Sequence, residues 1–281
     1  IINFNEVFLM NIPFVKMHAN GNDFVIIDNR TKRFLFKESQ VLLLSNRNTG
    51  IGFDQLILLE KSKSSDVSMK IYNSDGREAK MCGNAATCVA SLLFASKNTN
   101  SITIETISTK ITAKLNKSGA VNTTIKLPSQ IFSYIIRDKN IDTNNINFSK
   151  IHPSLHSGIL VNMGNPHIVF IVNNLEEIDL LKYGKKIETN ELFLDGINVE
   201  IVELVNKKKF KVKFWERGAG LTLSCGSGIL SSFYACYKKS LCEKEIEIMI
   251  PLGEVNTRIN GTELTITSTP QVSFLGEFNY E

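Results

Sequence analysis

The stretch KMCGNAAT at residues 80–87 is answered by LSCGSGIL at residues 223–230, so that Cys82-Gly83 and Cys225-Gly226 each stand at the mouth of an apolar, small-residue run. A Gly-Asn pair precedes each cysteine at one distance. Asn22 lies 60 residues before Cys82 (82 − 22), and Asn165 lies 60 before Cys225 (225 − 165). The same offset of 143 carries Gln55 onto Asn198 and Asn73 onto Glu216. Four polar positions in register within diverged sequence make an internal repeat. It predicts two related halves that face each other, each giving one cysteine and a set of hydrogen-bonding side chains to a shared cleft. Two thiols on opposite walls suit proton transfer at two faces of one carbon. The plainer alternative is that small Cys and Gly residues pack where a helix crosses a sheet, and the shared register argues against it.

The rest of the chain fits that plan. At 281 residues it is long enough for two domains of ordinary size, and with 43% hydrophobic and 21% charged residues it is a globular sequence rather than a disordered one. The formal charge of +4 is mild. Lys207-Lys208-Lys209 and Lys238-Lys239 read as a solvated turn and a helix C-terminus, which excludes a nucleic-acid footprint. No apolar run approaches the roughly 18 residues a membrane span needs. The opening IINFNEVFLM lacks the basic start and cleavage site of a signal peptide, so Met10 is expected to be the natural start and residues 1–9 an upstream extension. Without an export signal, Cys82, Cys88, Cys225, Cys236 and Cys242 are expected as reduced thiols in a cytoplasm. Their odd number and irregular spacing offer no disulfide framework.

FVKMHANGNDFVIIDNR reads as a hairpin turning at Asn20-Gly21-Asn22, with its second strand at residues 24–28. A short helix is expected at 38–48, strands in QLILLE and VSMKIYN, a turn at residues 73–76, a helix at 84–96, and then the strands SITIETIS, KITAKLN and VNTTIKLP. Residues 129–157 carry few periodic signals and are expected to form the crossing between halves. SGILVNMGNPHIVFIV repeats the hairpin; LEEIDLLKYGKKIE is expected as one short helix; a second buried helix follows at 227–239. NAATCVASLLFAS and SGILSSFYACY are apolar or small on every face, the mark of a helix buried all round. The fold class is therefore α/β (α+β): two pseudo-symmetric halves, each a mostly antiparallel, barrel-like sheet around a central helix. The N-terminal half is expected at 10–127 and the C-terminal half at 128–269, with PQVSFLGEF returning within 270–281 as an edge strand beside the first half. The active site belongs in the cleft between them.

A thiol at a helix N-terminus has its anion stabilised, so Cys82 and Cys225 are expected to give and take protons near neutral pH. The N–H groups around Gly83-Asn84 and Gly226-Ser227 could pin a carboxylate between the helices and stabilise charge that develops on it. That is racemisation by two opposed bases without a cofactor. His152 and His156 read as loop residues rather than metal ligands.

The segments MHANGNDFVIID, RNTGIGFDQLI, YNSDGREAKMCGNAATC, VNMGNPHIVF, INVEIVEL and FWERGAGLTLSCGSG together resemble the diaminopimelate epimerase family, in family order from Met17 to the last helix. The resemblance implies two similar α/β halves that use neither metal nor pyridoxal phosphate. It implies interconversion of LL- and meso-2,6-diaminopimelate, a step of lysine and peptidoglycan synthesis. Cys82 and Cys225 would be the acid and base; for the LL substrate Cys225 accepts the proton and Cys82 donates one. Gly83, Asn84, Gly226 and Ser227 would cradle the reacting carboxylate, while Asn22, Gln55, Asn73, Asn165, Asn198, Glu216 and Arg217 bind the rest. His167 and Glu216 would tune the thiols, and Arg217 would take the distal carboxylate through its bidentate fork. A homodimer is implied, with Phe274 at its contact. Three departures stand out: Ala85 and Thr87 replace a glycine and an arginine of CGNGARC, and Leu221 replaces the glutamate of GAGET; Ala19-Asn20 also stands within the usual MHGLGNDF. The rival readings are a racemase of another amino acid such as histidine, a silent amino-acid-binding relative, and a redox module, against which the lack of a Cys-x-x-Cys spacing weighs.

Overall fold

Asn20 and Gly21 take positive φ angles of 56° and 86°, the left-handed pair of a two-residue hairpin turn. In the computed structural model, which describes residues 10–280, this turn joins β1 (Met10–Ala19) to β2 (Asn22–Asp28), with Ala19 opposite Asn22. Asn22 is thus the first residue of a strand, not part of the turn. Residues 1–9, and the expectation that they are an upstream extension, lie outside the described residues.

The first repeat continues through α1 (Glu38–Ser45), β3 (Gln55–Glu60), β4 (Val67–Asn73), the short β5 (Glu78–Ala79), α2 (Gly83–Lys97), β6 (Ser101–Glu105), β7 (Lys110–Leu115) and β8 (Val121–Lys126). The second comprises β9 (Ile159–Asn162), β10 (Pro166–Val172), α3 (Leu180–Glu188), β11 (Asn198–Asn206), β12 (Lys209–Glu216), β13 (Gly220–Thr222), α4 (Gly226–Lys238), β14 (Glu245–Ile250), β15 (Gly253–Asn260) and β16 (Glu263–Ser268). Shifting the first set by 143 residues lays each of its elements on its counterpart. The pairing repeats too. β1–β2 and β9–β10 are antiparallel, β2–β3 and β10–β11 parallel, β3–β4 and β11–β12 antiparallel, β4–β6 and β12–β14 parallel, and β6–β7–β8 and β14–β15–β16 antiparallel. The two sheets join where β8 runs antiparallel to β16, with Thr123 opposite Ile266 and the Thr124 and Thr265 hydroxyls 2.8 Å apart. Beyond them β17 (Gln271–Tyr280) runs antiparallel to β1.

Each sheet wraps one helix, because α2 and α4 have no polar face to give to water. Ala85, Ala86, Cys88, Val89, Ala90 and Leu93 of α2 and Ile229, Leu230, Phe233, Ala235 and Cys236 of α4 share one buried core with the inward-facing strand residues. Burying a side chain such as Phe233 or Leu93 stabilises the fold by about 1.5–3 kcal/mol. α2 ends where Asn98 turns left-handed at φ 49°. On the outer faces, α1 covers a cluster around Phe24's neighbours Val25 and Ile27, and α3 with the 129–157 crossing covers Ile168, Phe170 and Trp215.

Two helices differ from expectation for local reasons. α1 stops at Ser45 because the Asn46 side chain accepts the N–H groups of Asn48 and Thr49 and so closes a turn. LEEIDLLKYGKKIE is not one helix. A 3-10 turn at Leu175–Glu177 precedes α3, whose start is fixed by Asp179 accepting from the N–H groups of Leu181 and Lys182. Residues 129–157 contain no helix or ladder strand and are held by isolated bridges, Ile136 to Phe193 and Ile146 to Gly158. Among the described residues no helix is long and apolar enough to cross a membrane.

Candidate active site

Cys82 and Cys225 are the N-cap residues of α2 and α4, and each sulfur accepts an N–H from its own first turn, Ala85 and Gly228, both at 3.4 Å. The two N-termini abut. A Cβ placed on Gly226 would stand 3.4 Å from the Gly83 Cα and the Asn84 nitrogen, and one on Gly83 would stand 3.9 Å from the Gly226 Cα. Both distances are ordinary van der Waals contacts, so the two helix ends lie directly against each other. Asn84 ties the junction across the halves, accepting from Asn20 at 3.1 Å and donating to Ser224 Oγ at 3.2 Å. The N–H groups at positions 83, 84, 226 and 227 come before the first helical carbonyl partner, so two sets of donors and two positive dipole ends converge on one spot.

The surroundings of the thiols differ. Cys82 Sγ lies 3.8 Å from Asn22 Oδ1 and donates to it; Asn22 Nδ2 donates to Asp54 Oδ2 at 2.6 Å. Next along β3, Gln55 Nε2 donates to Asn73 Oδ1 at 2.9 Å, leaving Gln55 Oε1 buried without a partner. On the other wall Cys225 Sγ is 3.5 Å from Ser227 Oγ, which accepts from Asn165 Nδ2 at 3.2 Å. Asn165 Oδ1 meets His167 Nε2 at 3.0 Å, and His167 Nδ1 meets the fully buried Glu200 Oε1 at 2.7 Å. Glu216, at the end of β12, faces both sulfurs.

Two residues are engaged differently from a ready substrate clamp. Asn198 spends its amide on backbone, donating to the Pro166 carbonyl at 2.7 Å and accepting from the Arg217 N–H at 2.9 Å. Arg217 Nη1 donates to Asp195, to its carbonyl at 2.7 Å and its carboxylate at 3.0 Å, so the guanidinium pairs with Asp195 and not with the adjacent Glu216. Phe274 lies away from the cleft on β17, 48% exposed, its ring 5.9 Å from that of Phe14.

The electrostatics correct one expectation. Burial pushes the Cys82 thiol up to about 12 and the Cys225 thiol well above its ordinary value; Glu216 adds to both, Asp54 to Cys82 and Glu200 to Cys225. The N–H groups of Ala85 and Gly228 act the other way but are outweighed. Desolvation beats the helix dipole here because the thiolate would be shielded from water and faced by carboxylates. Burial and the facing carboxylates thus bias both sulfurs toward the thiol form. Burial raises Glu216 as well, against hydrogen bonding from Cys225.

The three departures are accommodated. Ala85 is helical and needs no positive φ. Thr87 returns its hydroxyl to the Gly83 carbonyl at 3.0 Å. Leu221 sits on β13 opposite Trp215, 48% exposed. Asp54, Glu200, Asp195 and Ser224 escaped the sequence reading. Asp54 and Glu200 fall opposite Ile197 and Ile57 in the repeat, so a search for shared positions passes over them; their signal is a lone acidic residue in a run of strand hydrophobes.

Solved structures share this architecture at low sequence identity. A PhzF-family phenazine biosynthesis protein of Bacillus anthracis superposes with a TM-score of 0.67 at 14% identity, covering 97% of this chain and 100% of its own. A hydroxyproline epimerase of Agrobacterium vitis does so at 0.65 and 12%, covering 95% and 91%. The fold is thus that of the two-halved class containing these proteins. Within it, the family model described as diaminopimelate epimerase matches residues 14–126 and 159–274, the two repeats without the crossing. The diaminopimelate epimerase of Pelagibacter ubique is 38% identical over 254 residues, 89% of this chain and 92% of that protein, and that of Buchnera aphidicola is 33% identical over 277 residues, 96% of each. The chain belongs to the diaminopimelate epimerase family.

Proposed function

We propose that this chain interconverts LL- and meso-2,6-diaminopimelate by a two-thiol mechanism without a cofactor, supplying lysine and peptidoglycan synthesis in a cytoplasm. The observation that carries the reading is the abutment of two helix N-termini, each capped by a cysteine. A substrate α-carboxylate held by the N–H groups at 83, 84, 226 and 227 sets the α-carbon between the sulfurs. Burial and the facing carboxylates disfavour thiolate; a substrate α-ammonium beside Glu216 offsets that carboxylate and lowers the thiols toward neutral pH. Cys225 as thiolate then takes the α-proton of the LL substrate, negative charge passes to the pinned carboxylate, and the Cys82 thiol delivers a proton to the opposite face. Cys225 ends as thiol and Cys82 as thiolate, and solvent exchange resets the pair. Halves 10–127 and 128–269 form the two walls, Asn22, Gln55, Asn73, Asn165 and Asn198 align the substrate, and Arg217 swings from Asp195 to the distal carboxylate.

Proton NMR of LL-diaminopimelate in deuterium oxide with the reduced protein tests this. Deuterium enters the α-position and meso product accumulates. Cys82→Ala and Cys225→Ala each abolish epimerisation; full turnover by either variant would sink the mechanism, and exchange with another amino acid alone would transfer the activity to that substrate.

A further inference from the structure

We propose that Asp54, which touches no thiol, is a positioning residue that fixes the polarity of the Asn22 amide so that its oxygen faces Cys82 and holds that sulfur as S–H. The inference rests on the reading of Cys82 as proton donor. Asp54 Oδ2 accepts from both Asn22 Nδ2, at 2.6 Å, and the Asp23 N–H, at 3.0 Å, so it is an unprotonated acceptor and only the nitrogen of Asn22 can face it. The carboxylate is anchored on its other oxygen by Arg47 Nη2 at 2.8 Å. Its backbone is anchored as well: its N–H donates to Asp23 Oδ1 at 2.9 Å and its carbonyl accepts from Ser74 N–H at 3.0 Å. With the nitrogen so committed, Asn22 Oδ1 turns to Cys82 Sγ at 3.8 Å, where an acceptor favours the thiol over the thiolate.

The repeat supplies a control within the same chain. The counterpart of Asp54 is the buried Ile197, and without a carboxylate there Asn165 has the opposite polarity. Its oxygen goes to His167 Nε2 and its nitrogen to Ser227 Oγ, beside Cys225. Polarity is therefore set by the local partner and not by the backbone that the halves share. The charged and titratable groups facing Cys82 are Asp54 before β3 and Glu216 from β12, with Cys88 further along α2. Asp54 itself faces Asp23 and Arg47. Replacing Asp54 by asparagine removes a nearby negative charge and frees the Asn22 amide to turn an N–H to the sulfur; both effects make Cys82 more acidic.

The test is alkylation of the full-length protein by iodoacetamide over a range of pH, each cysteine followed by peptide mass spectrometry. In Asp54→Asn the Cys82 profile moves down by about one pH unit, a tenfold gain in rate at a fixed pH below the midpoint, while Cys88, Cys225 and Cys236 keep their rates. In an Asn22→Ala background the same change moves it less, by the loss of the nearby charge alone, since the amide that transmits the other effect is gone. An unmoved Cys82 profile, an equal shift without Asn22, or acceleration of all the buried thiols together would each overturn the proposal. If Asp54→Asn does not fold, Asn22→Ala alone must move the Cys82 profile downward, and no movement overturns it equally. Failure of deuterium exchange in the unsubstituted protein would instead remove the functional reading, which the alkylation profiles do not measure.

Discussion

At the scale of single residues, the charge that both thiols share is that of Glu216, which raises each of them. Replacing it with glutamine removes the repulsion, so both thiols ionise at lower pH; a thiolate absorbance titration of Glu216→Gln with a profile unchanged from the original would contradict this. If the carboxylate meets a substrate ammonium as proposed, turnover falls in the same variant. The register of Asn22 with Asn165 and of Asn73 with Glu216 was legible from the sequence because the halves had kept those positions polar. What decides how the amides point was not. Asp54 and Glu200 have aliphatic counterparts, Asp195 acts through its backbone as well as its carboxylate, and the depth of burial that pushes the thiols upward depends on how closely the helix ends meet.

At the scale of elements, the junction of α2 and α4 is governed by Gly83 and Gly226. A methyl at Gly226 would meet the Asn84 nitrogen and the Gly83 Cα at 3.4 Å, the near edge of ordinary contact, so Gly226→Ala narrows the space between the two thiols without forcing the helix ends apart. The variant should lose turnover by far more than it loses denaturation midpoint, and equal, small losses in both would show that the spacing of the thiols is not critical. The β1–β2 hairpin is anchored by Asp23, which lies between Lys16 at 2.7 Å and Arg47 at 2.7 Å; Lys16 also reaches the Gly52 carbonyl. Burial would raise the Asp23 carboxyl, but the hydrogen bonds and charges of Arg47 and Lys16 outweigh it and hold it at about 2. A carboxyl held below its unfolded value stabilises the fold above that value and loses the contribution as pH falls through the folded one. Asp23→Asn is therefore expected to cost about 2 kcal/mol at neutral pH, a difference that shrinks from near pH 5 and is gone only at about pH 1, below the folded value, in urea denaturation. A gap independent of pH would assign the loss to packing. The buried helices were readable from their all-round apolar faces, and the hairpin from Asn-Gly. The end of α1 and the break before α3 were not, because side chains of Asn46 and Asp179 compete for backbone N–H groups that periodicity alone would leave inside a helix.

At the scale of the whole molecule, β17 pairs on one side with β1 and shows Val272, Phe274 and Leu275 to solvent, 54%, 48% and 73% exposed. If this strip is where two copies meet, Phe274→Glu yields a monomer in sedimentation while the chain remains folded; an unchanged sedimentation coefficient would place the contact elsewhere. The offset of 143 foretold more than the four side chains from which it was read, since it also maps the strands and helices of one repeat onto the other. The 129–157 crossing has no counterpart and stayed opaque, its bridges being long-range pairings that no local pattern announces.

The seam between the sheets has a further consequence. In the β8–β16 register, Thr123 stands opposite Ile266, the residue 143 positions on. A local two-fold axis thus passes through a pair of equivalent positions, as it does in an isologous interface between identical subunits. Two separate copies meeting there would be bound to surround their thiols identically, so that neither could be set apart from the other. Covalent fusion lifts that obligation. One chain can keep a carboxylate behind one amide and an imidazole behind the other, and so break the symmetry its own backbone preserves.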